Sequence, residues 1–170
     1  MAASTLDNNA MAAGDDVSGR DDLAHALTAL LGSRARRDES LARRSSLRIG
    51  GVADHWVEPH SVEELSQVCQ LATDAGVPIQ VAGLGSNTLF PDEGLRGVTI
   101  RMGGELARWE ILDTDSDTTE VKVGAGTINA HLVRGLLSAG LVDAEFLVLI
   151  PGTFGGAIVM NAGTKEAELS

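Results

Sequence analysis

Two glycine-rich bends, far apart in the chain, limit what it can fold into more than any other feature. The first, Gly83-Leu84-Gly85-Ser86-Asn87, follows the apolar run Val77 to Ala82. The second, Ile150-Pro151-Gly152-Thr153-Phe154-Gly155-Gly156-Ala157, continues into Val159-Met160-Asn161-Ala162-Gly163. Glycine admits left-handed backbone and lets a ligand approach the peptide groups with no Cβ in the way. Successive N–H groups in such a bend form a concave anion site, and Ser86 and Asn87 can add side-chain donors. Gly50-Gly51 and Gly124-Ala125-Gly126 offer two more places of this kind. Four clusters set between apolar strands suit a large nucleotide better than a small metabolite. Ordinary turns and close helix–sheet contacts are the competing explanation.

Familiar phosphate and catalytic signatures do not account for these bends. The dinucleotide fingerprint G-x-G-x-x-G would need glycine where Thr88 stands, and Pro91 follows too soon for a long helix to begin there. Neither Lys122 nor Lys165 follows a glycine, so no P-loop is present. Ser86 is not in a Gly-x-Ser-x-Gly elbow. The acidic run Asp113 to Asp117 places Thr118 and Gly124 where a calcium loop needs glycine and glutamate, and it reads as a solvated hairpin tip.

Charge narrows the partners. The 170 residues carry 13 basic and 24 acidic groups, a net of −11. A nucleic-acid partner needs a basic footprint that this balance does not supply. The lone Cys69 can make no intrachain disulfide, and no apolar core follows Met1, so a reducing, cytoplasmic setting is expected. Phe146 to Thr164 carries no charge over 19 residues, long enough to cross a bilayer. Pro151, Asn161 and four glycines make it a poor single helix. A buried loop with a short helix is expected instead, with no membrane partner.

The rest of the pattern alternates strands and helices. Residues 1–20 show no apolar period and are expected to be disordered. Leu23, Ala26, Leu27, Leu30 and Leu31 recur at helical spacing after the possible caps Asp21 and Asp22, and arginines 34, 36, 37, 43 and 44 are expected as a solvated cationic face beyond the helix end. Ala53 to Glu58 reads as a strand. Ser61 and Glu64 stand at capping-box spacing before the stripe Leu65, Val68, Leu71 and Ala72, with Gly76 as the stop. Val77 to Ala82 and Gly97 to Arg101 read as strands, Trp109 to Leu112 with Glu120 to Val123 as a hairpin, and Ile128 to Ala139 as a helix capped by Thr127.

The ordered set Leu47-Arg48-Ile49-Gly50-Gly51-Val52-Ala53-Asp54, Val57-Glu58-Pro59, Gly85-Ser86-Asn87, Ile150-Pro151-Gly152-Thr153 and Met160-Asn161-Ala162-Gly163 resembles the UDP-N-acetylenolpyruvoylglucosamine reductases. These are flavoenzymes that make UDP-N-acetylmuramate for peptidoglycan. The resemblance covers residues 45–170. It implies an α+β, FAD-binding fold of the p-cresol methylhydroxylase and vanillyl-alcohol oxidase type, with two subdomains at 45–101 and 102–170. The second would be incomplete, the substrate domain absent, and residues 1–44 a disordered or helical extension.

The same resemblance implies noncovalent FAD, NADPH as co-substrate and a UDP-sugar substrate. Ala82, Gly83, Leu84, Gly85, Ser86 and Asn87 would form the pyrophosphate loop. Ile150, Gly152, Thr153, Gly155 and Gly156 would lie along the cofactor, with Asn161 and Gly163 near it. The family's serine proton donor and its arginine and glutamate lie beyond the Asn-Ala-Gly motif, so no catalytic residue is assigned in this chain, which is expected to be inactive alone. Thr164-Lys165 stands where members often carry Ala-Tyr, and Val52 replaces a usual proline. Another flavin-dependent oxidase or dehydrogenase of this fold, or a non-catalytic FAD-binding module, are the alternatives. His60 is a candidate for covalent flavin attachment on the pattern of other members of the fold.

Overall fold

The computed structural model describes residues 17–115 and 118–165. The expectations for residues 1–16, for Asp117 at the hairpin tip and for the terminal Ser170 lie outside the described residues.

A four-stranded sheet organises the first half. Its order is β1-β2-β4-β3, with β1 (Ala35–Ser40) antiparallel to β2 (Val52–Val57), and β4 (Leu95–Ile100) parallel to both β2 and β3 (Ile79–Val81). Alternation along β2 and β4 sends Val57, Val98 and Ile100 to one face. There they pack beneath α1 (Val17–Leu31) and α2 (Val62–Asp74) with Leu23, Leu27, Leu31, Val68 and Ala72. On the other face Trp56, fully buried, packs with Leu41, Ala82 and Phe90. Burying a side chain of that size contributes about 1.5–3 kcal/mol.

Helix α2 starts where the sequence placed it. The Ser61 hydroxyl accepts from the Glu64 N–H at 3.2 Å. The Glu64 carboxylate does not close the box on Ser61. It accepts from the His60 N–H at 2.7 Å and from both Arg34 terminal nitrogens at 2.6 Å. Those bonds, the arginine's first, hold the Glu64 carboxyl at about 2 and raise Arg34.

The N-terminal segment differs from expectation. Residues 21–44 are not an extension: Leu23, Leu27, Leu31 and Leu41 are core, and β1 is a sheet strand. The helix runs through Asp21 and Asp22 rather than starting at them. Nor do the arginines, Arg43 apart, form a free cationic face. Arg34 pairs with Glu64, Arg37 with Asp21, and Arg36 with Glu39. Arg44 pairs with Glu39 at 2.9 Å and lies 4.8 Å from the centre of the Trp56 ring. Helical spacing could not reveal this, because the partners of Arg34, Arg37 and Arg44 come from other elements and Arg36 pairs within β1.

The second half is a hairpin packed on helices. Strands β5 (Trp109–Thr114) and β6 (Thr119–Val123) pair antiparallel, and α3 (Asn129–Ser138) covers them through Leu132, Val133 and Leu136. Gly135 lets the helix sit on Trp109, since a Cβ there would fall 2.1 Å from the indole ring. Thr127 is not the helix cap; Ile128 holds that position, and the Thr127 hydroxyl donates to the Arg108 carbonyl at 3.1 Å. The uncharged stretch forms a 3-10 turn over Glu145–Leu149 and the short α4 (Phe154–Val159). It is not buried as expected: Leu149 is 68% exposed and Val159 83% exposed. No helix among the described residues is long and apolar enough to cross a membrane.

Candidate functional site

The first bend leaves the sheet at Ala82, whose N–H makes the last inter-strand bond, to the Ile100 carbonyl at 2.9 Å. Gly85 is left-handed, with φ of +67°, and a Cβ on it would lie 2.0 Å from the Arg44 carbonyl oxygen. Only glycine fits. Gly83 has no positive φ, contrary to the sequence expectation; its constraint is the Thr153 hydroxyl, 2.9 Å from where a Cβ would stand. From Gly83 to Asn87 the peptide N–H groups donate to no acceptor among the described residues. A run of unengaged donors in one bend is what an anion requires.

The second bend is pinned to the start of α3. Ile128 bridges Thr153, the Asn129 N–H donates to the Gly152 carbonyl at 3.2 Å, and the Phe154 N–H donates to the Thr127 carbonyl at 2.8 Å. The Ser86 hydroxyl donates to the Pro151 carbonyl and so ties one bend to the other. A cavity of about 510 Å³ lies between them. Of the residues expected at a site, Gly83, Leu84, Gly85, Ser86 and Asn87 line it from one side. Ile150, Gly152, Thr153, Gly156 and Gly163 line it from the other. Ala82 and Gly155 line an adjoining, mostly apolar cavity of about 330 Å³, whose walls include Gly83, Thr153 and Gly156 as well.

Asn161 lines neither cavity. It is left-handed at φ of +43°, and its N–H donates to the Ile158 carbonyl at 2.9 Å, ending α4. Gly50-Gly51 lines neither cavity, whereas Ala125 and Gly126 of the other cluster form part of the wall of the smaller one, and the glycines of both clusters also allow close backbone packing. A Cβ on Gly51 would lie 2.2 Å from the Asp92 carbonyl oxygen, and one on Gly124 or Gly126 would lie 2.4 Å from the Leu106 or Met102 carbonyl oxygen. His60 packs on Gly103 and Gly104, on neither cavity wall.

One residue escaped the sequence reading. Asn129 is fully buried and lines the larger cavity. Its amide nitrogen donates to the Ile150 carbonyl at 2.9 Å, while Oδ1 has no partner among the described residues. The signal was available: Asn129, Leu132, Val133 and Leu136 occupy one helical stripe, and a polar residue on an apolar stripe marks a special contact.

Sheet, hairpin and facing bends define a nucleotide-cofactor-binding architecture. Residues 53–170 match the FAD binding domain family, and the chain belongs to that family. Within it, the chain is similar to UDP-N-acetylenolpyruvoylglucosamine reductases. It is 40% identical to the one from Myxococcus xanthus over 146 residues, which are 86% of this chain and 47% of that protein. The crystal structure of the Thermus caldophilus reductase matches with a TM-score of 0.59 and 36% identity, over 76% of this chain and 43% of that one. p-Cresol methylhydroxylase with substrate bound matches at 0.53 and 16% identity, over 73% and 25% respectively, and shows the fold alone. The α+β fold is therefore of the expected type. The chain spans about half the length of the curated relatives it matches.

The residues present fit FAD. The 83–87 bend, whose peptide N–H groups donate to no acceptor among the described residues, lines the cavity. A side chain at Gly83 would meet Thr153, and one at Gly85 would collide with the Arg44 carbonyl and displace the bend. The orphaned Asn129 oxygen can accept from a bound ligand or a water beside it.

Proposed function

We propose that this chain is the FAD-binding portion of an NADPH-dependent reductase that converts UDP-N-acetylglucosamine enolpyruvate to UDP-N-acetylmuramate for the cell wall, in the cytoplasm. The observation that carries the reading is the meeting of the 83–87 and 150–156 bends across one cavity. FAD, when bound, supplies hydride transfer from NADPH to the enolpyruvyl double bond.

This chain's residues bind and orient. Gly83 to Asn87 hold the diphosphate through peptide N–H groups, each charge-assisted bond contributing roughly 1.5–3 kcal/mol. Ile150, Gly152, Thr153, Gly155 and Gly156 lie along the cofactor with Gly163 beside them, and Ala82 closes the apolar end. Net charge of −11 does not forbid this, because screening confines long-range repulsion to about 8–10 Å while the donors act in contact. Residues 45–101 and 102–170 serve as the two flavin subdomains. No residue of this chain is assigned a catalytic role, and the 170-residue chain is expected to show no turnover.

Titrating the purified chain with FAD tests the reading. Quenching of flavin fluorescence that saturates near one equivalent is expected, and Gly85→Ala should weaken it at least tenfold. Flavin that stays fully free at every protein concentration would overturn it.

A further inference from the structure

Arg34, Arg36, Arg37, Arg44 and Arg96 are paired with carboxylates, whereas Arg43, Arg48, Arg101, Arg108 and Arg134 have no carboxylate partner among the described residues. Three of the second group stand together. A cavity of about 380 Å³ that shares Gly83 and Leu84 with the larger one is walled by Arg43, Arg44, Arg48 and Arg101, and no carboxylate lines it. Arg44 is held by Glu39, Glu58 and the Trp56 ring. Arg43, Arg48 and Arg101 have no carboxylate partner among the described residues. Like charges gathered without counter-charge repel one another, and such a cluster is stabilised when an anion enters it.

The arrangement is built rather than incidental. The turn that bears Arg44 to Arg48 is fastened to the glycine bend: the Ser46 N–H and hydroxyl donate to the Gly85 carbonyl at 3.1 and 3.2 Å, and the Ser45 hydroxyl donates to the Thr88 carbonyl at 3.4 Å. The absence of a Cβ on Gly85 is what lets the Arg44 carbonyl come this close. Arg48 itself is left-handed at φ of +58°, a conformation that non-glycine residues rarely adopt and that clusters at ligand sites. Arg101 reaches the end of β4 and also lines the adjoining apolar cavity with Ala82 and Gly83. It therefore stands where the cationic and apolar cavities meet.

We infer that Arg43, Arg48 and Arg101 form a side-chain clamp for a nucleotide diphosphate, acting on the group whose other side is met by the peptide donors of residues 83–87. The inference rests on the FAD reading and adds residues to it. Guanidinium forks match phosphate oxygens bidentately, whereas peptide donors alone offer single bonds. The clamp also explains how an acidic protein holds a dianionic bridge. The attraction is local and comes from three unpaired arginines gathered at one cavity.

The test uses the full chain and two probes, FAD and inorganic pyrophosphate, with Arg43→Gln, Arg48→Gln and Arg101→Gln made singly and together. Each single change is expected to weaken FAD about tenfold, and the triple change to abolish pyrophosphate binding seen by calorimetry. Raising salt should weaken FAD binding to the unaltered chain steeply and to the triple variant hardly at all. Arg48→Lys should retain part of the affinity, and Arg134→Gln, an unpaired arginine on α3, should retain all of it; both also guard against a folding defect, which circular dichroism would reveal. FAD binding that is unchanged in the three glutamine variants overturns the clamp and leaves the FAD reading standing. Arginine-dependent pyrophosphate binding without FAD binding does the reverse. Binding of neither probe to the unaltered chain overturns both.

Discussion

Residues 21–100 bury apolar side chains on both faces of a four-stranded sheet, and their arginines are tied across elements to carboxylates. Residues 104–163 bury only one face. A two-stranded hairpin and α3 form a single core around Leu132 and Leu136, while Leu149, Ile158, Val159 and Met160 remain exposed. The contrast teaches that the two halves of the candidate site have unequal support. The 83–87 bend hangs from a closed unit, and the 150–163 segment is held mainly by its bonds to the start of α3 and to Ala125. A two-stranded ribbon needs packing against other elements to be stable, so the second half depends on that helix.

Four measurements would break or sharpen the contrast. Trp56→Ala should cost about 3–5 kcal/mol, because it empties the fully buried centre of one sheet face. Denaturant unfolding would check this, and a loss below about 1 kcal/mol would show that the first unit is not the rigid one. Leu132→Ala should cost about 2–3 kcal/mol, the low end of the range for leucine, since a small one-sided core can relax around the gap. Hydrogen exchange should find that loss confined to residues 104–163, and global loosening would contradict two separately packed units.

Glu64→Gln should cost about 1–2 kcal/mol, between an exposed pair and fully charge-assisted bonds. The sign follows from the lowered carboxyl. The Arg34 bond stabilises the folded chain fully above the ordinary value of 4.5, and this contribution is lost as pH falls from there to about 2. An acid unfolding curve of Glu64→Gln should therefore be flatter than that of the unaltered chain over this interval. Val159→Ser should change stability by less than about 0.5 kcal/mol, as expected for an exposed position. It should nevertheless reduce binding of an apolar dye, and an unchanged dye signal would place the exposed patch elsewhere.

Much of the local structure was legible in the chain. The Ser61 cap, the α2 stripe, the Gly76 stop and the hairpin of β5 and β6 depend on neighbours within a few residues, and those rules act before any tertiary contact. The N-terminal segment was not legible in the same way. Residues 35–40 read Ala-Arg-Arg-Asp-Glu-Ser, too polar to signal a strand, and they form one because β2 offers an edge to pair with. Arg34 and Arg44 looked solvated for the same reason: Glu64 and Trp56 are remote in sequence. At the site, the bends could be found from their glycines, but Asn129 and the arginine-lined cavity could not be tied to them without the fold.

The sequence by itself determined where the backbone is free to turn without a side chain, because only glycine lacks a Cβ. The structure uses that freedom at Gly85, left-handed and blocked by the Arg44 carbonyl, and not at Gly83, whose φ is not positive. Only the tertiary structure decided which glycines face a cavity and which face another strand. The two kinds look alike along the chain, and the difference lies in which elements the fold sets beside them: Gly83 and Gly85 stand opposite the 150–156 bend across a cavity, whereas Gly51 is closed against the Asp92 carbonyl.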